Sequence, residues 1–432
     1  MKTLYRGATL LCSDGDGFSV LKNGYLGVDG KTICYLGDAA PQDDYDLTKD
    51  MTGKIIMPGL YNCHTHSPMV LLRGVGSDLP LDQWLFGKIC PIEDRMSPED
   101  VAAGSALAAM EMIAGGTVSF SDMYFSQDQT AEVAIKAGLK ANLSRHVQSF
   151  IPGEKPEDSV SLNEAKALYK RYNGAAEGRV KVDWCVHAEY TCTEDMPRAL
   201  AACCKATNGN LHIHLSETEK EHRECKEKYG VTPAAWFERL GAFDCGGFAA
   251  HCVALEDADI EILRRHHISV AHNPTSNMKL GSGVAPVEKF IRSGINVTLG
   301  TDGAASNNNL NLFEEMHLAS LLQNGYLRDA TVMNAVTVLK MATENGAILQ
   351  RRENCGKLAV GYRADFIAID TDRPHLTPCL DAPALIVYAA QASDVVLTVV
   401  DGKILFENGD FKTIDKEKTY FDVKKAVERL YH

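Results

Sequence analysis

With 432 residues, 45% of them hydrophobic and 23% charged, the chain can bury a core large enough for one big α/β barrel or for two to three smaller domains. A net charge of −13 repels phosphate backbones and anionic lipid, which excludes nucleic acid and membrane surfaces as partners. Thirteen cysteines, an odd number with no Cys-x-x-Cys pair, read as reduced thiols packed as small hydrophobes.

The first residues, Met1 to Arg6, lack an apolar signal-peptide core, and no window approaches ~18 consecutive apolar residues. A cytoplasmic protein is expected. Residues 1–53 read as short strands broken by turns, with Asn23-Gly24 and Asp29-Gly30 as hairpin dipeptides that accept positive φ. The same text returns near the other end: Val28-Asp29-Gly30-Lys31 is matched by Val400-Asp401-Gly402-Lys403, each copy followed by an apolar stretch. Asp-Gly turns are common enough for coincidence, but both ends are β-rich and the middle is not. Residues 1–53 and 357–432, the latter finishing in a helix, are therefore read as one small β-sandwich domain flanking a central unit.

That unit, residues 54–356, alternates strand-like and helical stretches. The apolar run from Ile55 to Leu60 ends in Asn62-Cys63-His64-Thr65-His66, where strand alternation turns His64 and His66 to the same face. Ser97-Pro98-Glu99-Asp100 starts a helix with a capping serine, proline at the first position and acids in the first turn; Gly115-Gly116 ends it. Eight strand-like runs each close on a polar or titratable group: His66, Asp122, Arg145, His187, His214, His251, His272 and Asp302. Chemistry at the C-terminal ends of eight β/α units is how a (β/α)8 TIM-like barrel presents its site. A doubly wound sheet would more often carry a Gly-rich phosphate loop after its first strand, and neither Gly-x-Gly-x-x-Gly nor a P-loop occurs.

A lone His-x-His is weak, so the remaining strand ends decide. Leu211 to Leu215 carries a second alternating pair; His212 reads as a core histidine with a hydrogen bond, and His214 as a group at the rim. Glu217 follows three residues later, placing an acid beside a candidate ligand as hydrolytic metal sites need. Asp302, between Gly300 and Gly303, closes the last strand next to the first. Three imidazoles and a carboxylate suit one zinc ion, with iron or manganese also acceptable. The fourth strand ends in Val186-His187-Ala188-Glu189 with its lysine, Lys181, at the wrong end, which argues against a bridging lysine and a second ion.

These residues resemble the amidohydrolase superfamily, and more closely the 5-methylthioadenosine/S-adenosylhomocysteine deaminase family in its cytosine/guanine-deaminase-like branch. The similarity runs through nearly the whole chain. It includes Met57-Pro58-Gly59-Leu60 before His64-Thr65-His66, then Leu71-Leu72-Arg73-Gly74, Trp84-Leu85 with Pro91-Ile92-Glu93, and His214-Leu215-x-Glu217. Ala250-His251-Cys252, His272-Asn273-Pro274-x-Ser276-Asn277 and the block from Leu299 to Asn308 complete it, with Gly361-Tyr362-x-Ala364-Asp365 late in the chain.

The resemblance implies His64, His66, His214 and Asp302 as metal ligands, Glu217 as proton shuttle and His251 as the histidine that hydrogen-bonds the attacking water. It also implies Glu93 on the ribose hydroxyls, Trp84 against the sugar or its 5′-substituent, His187 on the purine and Arg145 on a polar 5′-group. Ser306, Glu217 and Asp302 count among the substrate contacts. Apart from the resemblance, Glu93 would be a solvated loop acid, Trp84 core and Arg145 a structural ion-pair partner. A second arginine expected about a dozen residues after Arg145 is missing: that loop reads Gly153-Glu154-Lys155-Pro156-Glu157-Asp158, leaving only Lys155. The expected activity is hydrolytic deamination of a small-molecule adenine nucleoside (methylthioadenosine, S-adenosylhomocysteine, adenosine or 5′-deoxyadenosine) to its inosine analogue and ammonia. The alternatives are a guanine, pterin or triazine aminohydrolase or chlorohydrolase on the same site, and a non-catalytic barrel scaffold. Homo-oligomers and the relative roles of His251 and His272 stay open at this point.

Overall fold

In the computed structural model, which describes residues 1–15, 17–149, 151 and 153–431, the eight runs form parallel strands of one sheet in chain order. They are Leu60–Thr65, Thr117–Tyr124, Lys140–Val147, a fourth split into Val180–Val182 and Trp184–Val186, then Leu211–Leu215, Gly247–His251, Ile268–His272 and Val297–Leu299. Helices cover the outside, so most strand residues are buried on both faces and read as continuous apolar runs. Val186, Leu215, Val270 and Leu299 pack with Trp236, Phe290 and Met316 of that outer layer in the largest core cluster. The last strand returns to the first, where the Asp302 N–H donates to His64 O at 2.9 Å. Gly300 permits that approach, since a Cβ there would lie 2.4 Å from Asn273 Oδ1 and 2.8 Å from His64 N.

The helix Pro98–Ala114 begins as read: Ser97 Oγ accepts from the Asp100 N–H and Asp100 Oδ2 from the Ser97 N–H, a reciprocal capping box. Before it, the chain leaves the first strand through the short helix Ser67–Leu72 and then an unbroken helical run over residues 81–93. The C-terminal helix Lys416–Tyr431 packs on the helix Pro98–Ala114 and touches Ser67–Leu72; Ala426 and Leu430 pack into the cluster that holds Leu71, Trp84 and Ile92.

A second, mixed sheet joins both chain ends: Lys2–Asp14, Gly17–Asp29 and Thr32–Gly37 from one, and Phe366–Asp370, Val395–Val400, Lys403–Glu407 and Asp410–Phe411 from the other. Lys54–Pro58 is its central seam, pairing with Lys2–Asp14 and with Phe366–Asp370. The apolar run from Ile55 to Leu60 thus serves two sheets in succession. The repeated Val-Asp-Gly-Lys text marks two hairpin turns that touch, for a Cβ at Gly402 would sit 2.0 Å from Gly30 O. Asn23-Gly24 does not turn. It lies inside the strand Gly17–Asp29 at a bulge, where pairing slips from Arg6↔Tyr25 through Ala8↔Gly24 to Leu10↔Leu21. The left-handed φ of 53° at Asn23 serves a bulge as well as a turn, which is why the dipeptide misleads. Among the described residues no helix is long and apolar enough to cross a membrane, and all cysteines are free.

Candidate active site

Three imidazoles converge at the barrel mouth because each is fixed through its other ring nitrogen. His64 Nδ1 lies 2.9 Å from His212 Nε2, His66 Nδ1 bonds Met123 O, and His214 Nδ1 lies 2.9 Å from His187 O. An Nδ1–H donated outward leaves Nε2 as a bare donor to the centre, the orientation that outer partners impose on metal-binding histidines. His66 Nε2 and His214 Nε2 are 3.3 Å apart, and Asp302 Oδ1 lies 3.3 Å from His64 Nε2 and 3.1 Å from His66 Nε2. His64 Nε2 is fully buried without a hydrogen-bond partner. Ligands at about 2.0–2.1 Å around a tetrahedral ion stand roughly 3.3–3.4 Å from one another, so these four atoms fit one divalent ion. Two triples, His64 with His66 and His214, and His64 with His251 and Asp302, each bring their donor atoms within 4.8 Å.

Asp302 keeps Oδ1 free because Oδ2 is engaged: Ser276 Oγ and Ser306 Oγ donate to it at 2.7 and 2.8 Å. Ser306, expected among the substrate contacts, supports Asp302 in this structure; it is buried and does not line the cavity. Ser276 has the same role and was quoted only as part of a motif.

Glu217 stands beside this cluster, with Oε2 3.8 Å from His251 Nε2. Burial pushes its carboxyl up to about 7, so it can both hold and release a proton near neutrality. His251 Nδ1 lies 2.8 Å from Asn277 Oδ1, which turns Nε2 to the centre. His251 and Asp302 both have left-handed backbone, φ 71° and 60°, and strain of this kind collects where side chains must be aimed. His272 is set apart: it is fully buried, neither ring nitrogen has a partner, burial pushes it down to about 3, and it does not reach the cavity. Of the two histidines, His251 is the one that lines the cavity.

A cavity of about 680 Å³ opens from the cluster, walled by His66, His214, Glu217, His251 and Asp302 at its floor. Trp84, Glu93, Arg145 and His187 all line it, so these expected substrate contacts are brought together with the metal cluster. Glu93 is no solvated acid: Tyr124 Oη donates to its Oε1 at 2.5 Å, and burial raises its carboxyl. Arg145 lines the wall while its Nε donates to Glu164 Oε2 at 2.8 Å, so the ion-pair reading also holds. Lys155 is exposed and off the wall. Tyr124, His146 and Tyr190 also line it and carried no signal in the sequence, because an aromatic or a second histidine near a strand end reads as packing.

The model of the Amidohydrolase family matches residues 55–405. Along its full length the chain is 42% identical to a 5-methylthioadenosine/S-adenosylhomocysteine deaminase of Acetivibrio thermocellus, with all of both chains covered. It is 44% identical to a 5′-deoxyadenosine deaminase of Methanosarcina acetivorans over 99% of this chain and 98% of that one. Among solved structures, a zinc-bound adenosine deaminase from Xanthomonas campestris superposes with a TM-score of 0.93 at 29% identity, covering 99% of this chain and 98% of the other.

Proposed function

The chain belongs to the amidohydrolase family, and on that premise we propose that it is a metal-dependent deaminase of adenine nucleosides, replacing the 6-amino group by oxygen and releasing ammonia. The observation that carries the reading is a cavity whose wall brings His66, His214 and Asp302 together, with the fully buried His64 within ligand reach, a buried acid beside them, and Glu93 with Trp84 on the wall. His64, His66, His214 and Asp302 would hold a single divalent ion, zinc before iron or manganese. Such an ion acidifies the attacking water toward neutral pH.

The rest of the chemistry falls to side chains. Asp302 accepts the proton of the attacking water while it remains a ligand, its carboxylate being held in place by the two serines on Oδ2. Glu217 gives its proton to purine N1 as oxygen adds at C6, then takes up the proton of the new C6 hydroxyl as the carbonyl forms and carries it to the amino group so that ammonia leaves, and the proton held by Asp302 restores Glu217 for the next turnover. His251 hydrogen-bonds the incoming oxygen from Nε2, and Asn277 holds the ring in that pose. His187 lies along the purine, and Glu93 accepts from the ribose hydroxyls, with Tyr124 keeping the carboxyl in place. At the 5′-end Arg145 is already paired with Glu164, and among the described residues no other lysine or arginine faces the cavity. This favours neutral 5′-groups, as in 5′-deoxyadenosine and methylthioadenosine, over the zwitterionic tail of S-adenosylhomocysteine.

Ammonia release from adenosine, 5′-deoxyadenosine, methylthioadenosine, S-adenosylhomocysteine, guanine and cytosine, measured on zinc-loaded protein, tests this. The expected order puts the two neutral 5′-substituted nucleosides first. Turnover of guanine alone would move the assignment to the base deaminases, and no turnover with zinc bound would favour a scaffold. Glu93→Ala should raise KM for the nucleosides at least tenfold; unchanged turnover would remove the ribose-recognition role.

A further inference from the structure

Glu217 stands on a segment without regular structure, between the fifth barrel strand and the helix Glu219–Tyr229. Ser216, just before it, has a left-handed φ of 45°, a conformation that a residue with a side chain holds only when its surroundings impose it. Here the peptide is gripped from both sides. Ser216 O accepts from the N–H groups of Val253 and Ala254 at 3.0 and 2.9 Å. On the opposite side the N–H groups of Ser216 and Glu217 donate to Oε1 and Oε2 of Glu221, each at 2.7 Å.

Thr218 and Glu221 have the spacing of a capping box, and Thr218 Oγ1 does accept from the Glu221 N–H at 3.1 Å. In that motif the glutamate would reach back to the N–H of Thr218 itself. Glu221 instead reaches past the cap to the two preceding peptides, spending both oxygens on the backbone that carries Glu217. It is buried, and it contacts a second buried acid, Glu189, whose Oε2 has no partner. Burial and the charge of Glu221 push Glu189 upward. Burial raises Glu221 as well, so the pair holds a proton between its two carboxyls rather than ionising twice, while both oxygens of Glu221 accept from the 216 and 217 amides.

We propose that Glu221, backed by Glu189, is a positioning residue for Glu217: its carboxylate locks the 216–217 backbone in the left-handed turn that aims the proton shuttle at the substrate ring. This rests on the reading of Glu217 given above.

The test compares zinc-loaded wild type with Glu221→Gln, Glu221→Asp and Glu189→Gln, reading bound zinc, kcat and KM on the best nucleoside, and amide exchange across residues 211–221. Glutamine at 221 offers one acceptor oxygen where the two N–H groups need two, and aspartate withdraws the carboxylate by a methylene. Both variants should keep zinc and hold KM within about threefold while kcat falls about 10–100-fold, the scale of an ångström-level misplacement. The 216–217 amides should exchange faster while the barrel strands do not. Glu189→Gln keeps a donor toward Glu221 and should stay within about twofold of wild type. Wild-type kcat in both Glu221 variants overturns the proposal. So does a loss of kcat that tracks lost zinc or global unfolding in both, since Glu221 would then support the fold rather than aim Glu217. If wild type deaminates no nucleoside, the role of Glu217 fails on its own, and the exchange measurement still decides whether Glu221 clamps the turn.

Discussion

His212 is off the cavity wall, yet it determines how His64 faces the centre. With Nε2 of His64 turned inward, its Nδ1–H donates to His212 Nε2, so His212 carries its own proton on Nδ1 and gives it to Ser144 Oγ at 3.2 Å. Burial pushes His212 well below the usual histidine range, which keeps it neutral and able to accept. His212→Phe, whose ring can still stack on Phe248, removes that acceptor and should weaken zinc binding about 10–100-fold. Competition with a chelator of known affinity measures it; unchanged affinity would mean that the barrel wall alone orients His64. Alternation predicted that His212 and His214 share a face, and reading His212 as a core histidine with a hydrogen bond was right as far as it went. Its partner was not legible, because a strand's own text does not say which residue faces it across a closed barrel. Ser276, Ser306 and Glu221 escaped for the same reason: each acts through a contact between loops, and alone each looks like a helix-start polar residue.

The segment that carries Trp84 and Glu93 depends on an element hundreds of residues away. The helix Lys416–Tyr431 is tied to it by Tyr431 Oη donating to Leu71 O at 3.0 Å, by Arg429 donating to Arg95 O at 2.9 Å, and by the Arg429–Asp100 ion pair. Leu430 is buried in the cluster beneath Trp84. Leu430→Ala should cost about 2–5 kcal/mol locally and raise KM severalfold with bound zinc unchanged, as steady-state kinetics beside metal analysis will report; an unchanged KM would detach the helix from substrate binding. A different element bears a pH signature. At the break in the fourth strand Asp183 is buried, accepting from Asn142 Nδ2 at 2.9 Å, and burial pushes it up to about 6. The folded state then binds the proton more tightly than the unfolded chain does. This stabilisation is fully present below the unfolded value near 3.8 and is lost as pH rises through about 6, an effect on the order of 3 kcal/mol. Asp183→Asn keeps an acceptor oxygen and should flatten the denaturation midpoint across that window; a slope that survives would assign it to another group. The strand ends were readable because histidine, aspartate and arginine have little reason to close apolar runs except at a barrel mouth. The break at Asp183 left no such mark.

At the scale of the molecule, the barrel's lower end is bolted to the sheet built from both termini. Lys140 opens the third strand at the end opposite Arg145. It is buried, pairing with Asp365 and with Asp401 at 2.8 Å, both from the distal part of the chain. Asp365 Oδ1 also accepts from the Asp401 N–H at 2.8 Å, and Asp401 opens the turn whose Gly402 abuts Gly30. One buried lysine therefore joins the barrel floor, the late hairpin and, through that hairpin, the early one. The β-rich composition of the two ends told that they pair; it could not tell that Lys54–Pro58 would be their seam, since an apolar run reads alike whichever sheet takes it. Lys140→Met fills the space but leaves the buried Asp365 without its cation and Asp401 with only the more distant Arg363, which should cost about 3–5 kcal/mol. The proposed metal ligands sit at the other end of the strands, so zinc content and kcat per folded molecule should match wild type at temperatures where both remain folded. Thermal unfolding followed with and without excess zinc separates the two ends of the barrel. A variant that unfolds early but works normally while folded fits a bolt at the floor, and one that loses zinc before it unfolds would show that the floor also holds the mouth in shape.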